Sequence, residues 1–145
     1  MVDELYQELI IDHSKRPRNY HSMVDANRKA EGYNPLCGDK LKLYLKVEDD
    51  VVKDASFVGS GCAISTASAS LMTESLKGKT KDEALKLLDK FHELLTTDTP
   101  VSRELGKLVV FCGVREYPAR VKCATLAWHT LKSALDNSGG TATTE

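Results

Sequence analysis

Residues 40–48 constrain the fold more than any other stretch of the chain. Leu41, Leu43, Leu45 and Val47 alternate there with Lys40, Lys42, Tyr44 and Lys46. A period of two sends the two sets to opposite faces, so the segment reads as a half-buried strand suited to antiparallel pairing. Asp49-Asp50 marks a turn, and residues 51–58 read as a further strand or two before Gly59-Ser60-Gly61 breaks the chain. On either side the period becomes helical. Val2, Leu5, Tyr6, Leu9, Ile10 and His13 recur at helical spacing over 2–14, with Asp3 and Glu4 suiting the positive end of the helix dipole. Pro17 ends that pattern in a basic loop, and 21–36 are mostly polar and irregular. Residues 63–77 form a second helical stretch rich in small side chains. Thr80 and Glu83 make a capping-box signature that opens a third. Val101–Phe111 reads as a short helix, and the last helix runs from about Ala119 to Asp136. Its core face is Val121, Ala124, Trp128, Leu131 and Leu135. Residues 1–136 are expected to form one domain and 137–145 a disordered tail.

With 145 residues the chain is long enough to bury a core of its own. Its 20 Lys and Arg nearly balance 21 Asp and Glu, which argues against nucleic acid or a membrane surface as the main partner. No apolar run approaches the roughly 20 residues of a membrane-spanning helix. The first residues lack a basic-then-apolar signal pattern, so a cytoplasmic location is expected.

In that compartment four cysteines point to ligands or reactive thiols rather than disulfides. They stand at Cys37, Cys62, Cys112 and Cys123, with no CxxC pair. Cys37 and Asp39 flank Gly38, which lets the backbone turn so that both side chains reach one ion; otherwise they are a surface turn with a chance carboxylate. Cys62 follows Gly59-Ser60-Gly61 and precedes a helix. There the dipole and free N–H groups favour a thiolate, and the glycines offer a hinge; the alternative is a small residue packed at a tight strand-to-helix turn. Cys123 lies near the start of the last helix. Arg120, three residues earlier, stands on nearly the same face, where it either stabilises a thiolate or an anionic partner group or is simply solvated. Cys112, beside Phe111, reads as a small core residue. If Cys37, Asp39, Cys62 and Cys123 converge, three thiols and one carboxylate make a tetrahedral donor set of the kind zinc prefers.

Four ordered motifs carry a resemblance. They are His13-Ser14-Lys15-Arg16-Pro17-Arg18-Asn19, Asn34-Pro35-Leu36-Cys37-Gly38-Asp39, Gly61-Cys62-Ala63-Ile64-Ser65 and Arg120-Val121-Lys122-Cys123-Ala124. From residue 3 to residue 136 the chain resembles the iron–sulfur biogenesis family of IscU, the NifU N-terminal domain and SufU. The resemblance implies an α+β fold: a small antiparallel sheet of about three strands with helices packed on one face. It also implies Cys37, Asp39, Cys62 and Cys123 as metal ligands. Scaffold members of the family carry a histidine just before the third motif cysteine, where this chain has Lys122, and the stretch between Cys62 and Cys123 looks longer here. Both features resemble the SufU branch. That branch implies a bound Zn2+, a SufS-type cysteine desulfurase as partner, and downstream iron–sulfur assembly proteins. By the same resemblance Cys37 accepts persulfide sulfur and Arg120 supports the transfer, as a zinc-dependent sulfurtransferase would use them. Two alternatives stand beside this reading: a scaffold holding a transient Fe–S cluster, and a purely structural zinc domain.

Overall fold

The computed structural model describes residues 2–35, 37–97, 103–136 and 141–143. Its centre is an antiparallel meander of β1 (Arg28–Asn34), β2 (Asp39–Glu48) and β3 (Val51–Ser60). The alternation in β2 is realised: Asp39, Leu41, Leu43 and Leu45 face inward, while Lys40 and Lys42 face water. Asp49 and Asp50, at φ 53° and 60°, form the tight β2–β3 turn, whose positive φ values suit the twist of a two-residue hairpin. At Val47 the strict alternation gives way to a register shift between Lys46 and Val47. Asn27 grips both backbone groups of Val47 there, at 2.6 and 2.8 Å.

Two expectations are corrected. Residues 28–34 are not irregular but form β1, whose inward positions are Ala30, Gly32 and Asn34. None of these is a sizeable apolar residue, so the strand lacks the usual pattern. Gly32 is small because a Cβ there would collide with Thr130 and touch Leu126 of the last helix. The expected disordered tail also contains a short strand, β4 (Thr141–Thr143), parallel to β1 in the order β3-β2-β1-β4. An unpaired strand edge offers hydrogen bonds to any extended segment that reaches it, and β4 takes those of β1. The remainder of 137–145 lies outside the described residues, as do residues 101–102 of the expected short helix.

The helices cover the inner face. α2 (Ala63–Leu76) and α4 (Pro118–Leu135) lie against the sheet, and α1 (Val2–Lys15) packs on α2. α3 (Lys81–Thr96) packs with a 3₁₀ segment, Arg103–Glu116, that is broken at Gly106 (φ 53°, ψ −126°). The capping box of α3 is present: Thr80 accepts from Glu83 N–H while the Glu83 carboxylate accepts from Thr80 N–H. α2 is enclosed on several sides, and its small side chains suit that position. Its serines connect neighbouring helices. Ser68 donates to Ala124 O at 2.6 Å and accepts from Trp128 Nε1 at 3.2 Å. Ser70 sits 2.7 Å from Nδ1 of the buried His13 and accepts from Arg18 N–H at 2.8 Å.

The Pro17-Arg18-Asn19-Tyr20 stretch closes the outer edge of the sheet. Phe57 N–H of β3 donates to Asn19 O at 3.0 Å, and the Tyr20 hydroxyl donates to Gly59 O. The Tyr20 ring stands edge-on to Phe57. An edge strand covered in this way is protected from pairing with another chain. The core is continuous from the sheet leucines through Leu71 and Met72 to an aromatic group in which Phe91 stacks on Trp128 at 4.6 Å and meets Phe111 edge-on.

Candidate metal centre

The β1–β2 hairpin, the start of α2 and the second turn of α4 meet at one end of the sheet. Cys37 Sγ, a carboxylate oxygen of Asp39 and Cys123 Sγ all lie within 4.8 Å of one another. Cys62 joins them: its Sγ is 3.9 Å from Asp39 Oδ2. The four dispersed residues therefore converge. Cys112 is half-buried against the core and outside the cluster.

Each side chain is held differently. Asp39 is the first residue of β2, pairs with Asn34 across the hairpin and is fully buried. One carboxylate oxygen, Oδ1, accepts from Cys62 N–H at 2.8 Å. The other faces the thiols. Cys62 is the N-cap of α2, and its sulfur accepts from Ser65 N–H at 3.4 Å, so the positive end of a helix points at the cluster. Cys123 is buried in α4, which begins at Pro118, one residue before the expected start, and so lies in the second turn of the helix. Cys37 differs from all three. It is exposed, in a turn with Gly38 at φ +71°, a left-handed conformation that favours glycine.

The glycines before Cys62 do not act as a hinge. Gly59 and Ser60 are paired in β3, opposite Leu41 and Lys40. A Cβ on Gly59 would strike Lys40 O, and one on Gly61 would stand 2.5 Å from Asp39 Oδ1. Their role is to let the backbone approach β2 and the carboxylate closely.

The donor set suits a thiophilic divalent cation. Around a tetrahedral zinc with Zn–S near 2.3 Å, ligand atoms stand about 3.5–3.8 Å apart. The Cys37–Cys123 sulfurs are 3.3 Å apart, too far for a disulfide, and the Cys62–Asp39 pair is at 3.9 Å. Among the described residues no Lys, Arg or His pairs with the buried Asp39. A buried carboxylate without a cation is costly unless a metal compensates it. Burial, followed by its contacts with Cys37, Cys62 and Asp39, pushes the Cys123 thiol well above the ordinary range. A bound cation reverses that balance.

A groove of about 830 Å³ opens beside the cluster. Ile10 and Ile11 of α1, Val114 of the 3₁₀ segment and Tyr117 line it together with Cys37, Cys62 and Cys123. Arg120 is exposed at its side with the guanidinium carbon 4.8 Å from the Tyr117 ring centroid, a cation–π contact. It shares the groove with Cys37 and Cys123. Sequence reasoning missed Asn34, Gly61 and Tyr117. Asn34 and Gly61 stood inside the quoted motifs, but their roles depend on what lies opposite them.

Fold and site together define a class: a small α+β protein that gathers cysteines and a carboxylate at one end of its sheet, beside an open groove. The chain belongs to the NifU-like N-terminal domain family, whose model matches residues 5–137. It is 43% identical over 138 residues to the iron-sulfur cluster assembly scaffold protein IscU of Streptococcus pyogenes serotype M1, covering 94% of this chain and 86% of that one. It is 39% identical over 140 residues to the zinc-dependent sulfurtransferase SufU of Bacillus subtilis (strain 168), covering 96% and 95%. Among solved structures, a putative iron-sulfur cluster assembly scaffold protein for the SUF system from Fervidobacterium islandicum AW-1 superposes with a TM-score of 0.83. It is 38% identical and covers 91% of this chain and 97% of that one. The expected three-stranded antiparallel sheet with helices on one face is the fold these proteins share.

Proposed function

We propose that this chain works in iron–sulfur cluster assembly as a zinc-dependent sulfurtransferase, receiving persulfide sulfur from a cysteine desulfurase and passing it on. The observation that carries this reading is the asymmetry of the cluster. Asp39 and Cys123 are buried, and Cys62 is tied into a helix cap, whereas Cys37 is exposed beside the groove. Zinc, held by Cys37, Asp39, Cys62 and Cys123, would keep the thiols deprotonated at neutral pH. The Cys37 thiolate then attacks the terminal sulfur of a persulfide on the partner. A bond forms between Cys37 Sγ and that sulfur, the partner's S–S bond breaks, and its electron pair leaves with the partner's cysteine as thiolate. The groove gives the partner's cysteine a path to Cys37, and Arg120 supplies positive charge beside it. The 39% identity to a protein named as a zinc-dependent sulfurtransferase supports the same reading.

The test is to purify the protein without added metal, measure its zinc and iron, and assay desulfurase turnover with and without it. Stoichiometric zinc with strong stimulation, lost in Cys37→Ala, is the expected result; full stimulation by Cys37→Ala overturns the assigned role. The second reading, a cluster scaffold, is favoured by the name of the Streptococcus relative and by the affinity of thiolates for Fe–S clusters. It predicts a transferable cluster and no stimulation.

A further inference from the structure

We propose that Asn34 is a positioning residue of the metal centre, clamping Asp39 and Cys123 while leaving Cys37 ungripped. This rests on the reading that the cysteines and Asp39 hold zinc. Asn34 ends β1 directly opposite Asp39 and is fully buried. Its amide nitrogen donates to Asp39 Oδ2 at 3.2 Å and to Cys123 Sγ at 3.5 Å. An amide NH2 has two hydrogens, and here each finds one acceptor.

Exchanging the amide's O and N would set its carbonyl against a carboxylate oxygen and a sulfur, both acceptors. The orientation is therefore dictated by the site. The consequence is visible on the other side of the group: Asn34 Oδ1 is buried and, among the described residues, has no hydrogen-bond partner. An orphaned polar atom in the interior is unfavourable and rare in folded proteins. A side chain placed for stability alone would avoid it, whereas one placed to aim two donors at two ligand atoms accepts it. Asn34 contacts the two deeply buried members of the cluster, and among the described residues none of its bonds reaches Cys37. Groups that hydrogen-bond to ligand atoms orient them and tune their hold on a metal. The clamp thus preserves the Asp39–Cys123 pair when Cys37 turns to sulfur.

The test compares Asn34→Leu, of similar volume without donors, with Asn34→Ala, and uses Cys123→Ser as a control. Zn2+ affinity is measured by competition with a chromophoric chelator. Co2+ substitution adds sulfur-to-metal charge-transfer and ligand-field bands, which a merely structural residue would leave unchanged. Circular dichroism and the emission of Trp128 report the metal-free fold. Both Asn34 variants are expected to lose about 10- to 100-fold in zinc affinity and to show altered Co2+ bands with the metal-free fold retained. Zinc affinity within twofold of the parent, with unchanged Co2+ bands, in whichever of the two variants folds would overturn the clamp while Cys123→Ser still loses zinc. Zinc binding untouched by Cys123→Ser would instead overturn the metal reading, and the clamp with it.

Discussion

Replacing Gly61 with alanine adds one methyl group and should disable the metal centre. The new Cβ would lie 2.5 Å from Asp39 Oδ1 and 3.1 Å from its Cβ and Cγ, where ordinary contact begins at 3.4 Å. Relief requires a shift of about 1 Å between Asp39 and the Gly61 backbone, in an interior too close-packed to absorb it freely. Asp39 has little room, being fully buried and bonded to Cys62 N–H and Asn34. A 1 Å displacement breaks the 2.8 Å bond to Cys62 N–H, a charge-assisted contact contributing about 1.5–3 kcal/mol. It also exceeds the ~0.2 Å tolerance of metal–ligand distances, so the carboxylate drops out of the ligand set. The expected result is a zinc affinity at least about tenfold lower, together with a lower denaturation midpoint. Gly78→Ala is the control, since Gly78 has φ +86° but nothing within 4 Å, so it strains the backbone without touching the site. Chelator competition and urea melts read both effects. Parental zinc affinity in Gly61→Ala would refute the claim that Gly61 exists to make room for the Asp39 carboxylate.

Other outcomes follow from the same structure. Burial, then the charge of Arg18, holds His13 below the ordinary imidazole value of 6.5, against weaker opposing effects of Glu74 and Asp12. A depressed native pKa means that its stabilising contribution is complete above pH 6.5 and is lost as the pH falls from there through the native value. Thermal melts between pH 5 and pH 8 should therefore slope more steeply in the parent than in His13→Gln, with His129, also depressed by burial, leaving a residual slope; equal slopes would contradict this. Phe91→Ala removes the ring stacked on Trp128 and should cost about 3–5 kcal/mol, with red-shifted Trp128 emission, as urea titration would show. Arg120→Ala should leave zinc content unchanged yet lower the desulfurase-dependent rate about tenfold at low salt, with the difference shrinking as salt is added; zinc loss in that variant would assign Arg120 a structural role instead.

Much of the framework was legible because it is written in local chemistry. The alternation of Leu41, Leu43 and Leu45 reports a one-sided strand, and Thr80 with Glu83 reports a helix start, since both depend only on near neighbours. β1 was not legible. Its inward residues are Ala30, Gly32 and Asn34, chosen for the close approach of α4 and for the site rather than for apolar patterning. His13 fits its helical pattern, but that it packs against Ser70 on another helix is a property of the packing.

The chain by itself determined the chemistry available: three thiols and a carboxylate in motifs that mark a family. Side-chain identity sets what a group can donate, accept or ligate, and that does not depend on the fold. The tertiary structure decided which of those groups meet and how firmly each is held. Asp39 is buried because β2 starts inside, Cys62 caps a helix, Asn34 faces Asp39 across a hairpin, and Cys37 alone is left in the open. Distance and burial belong to pairs of residues far apart in sequence, so only folding assigns them.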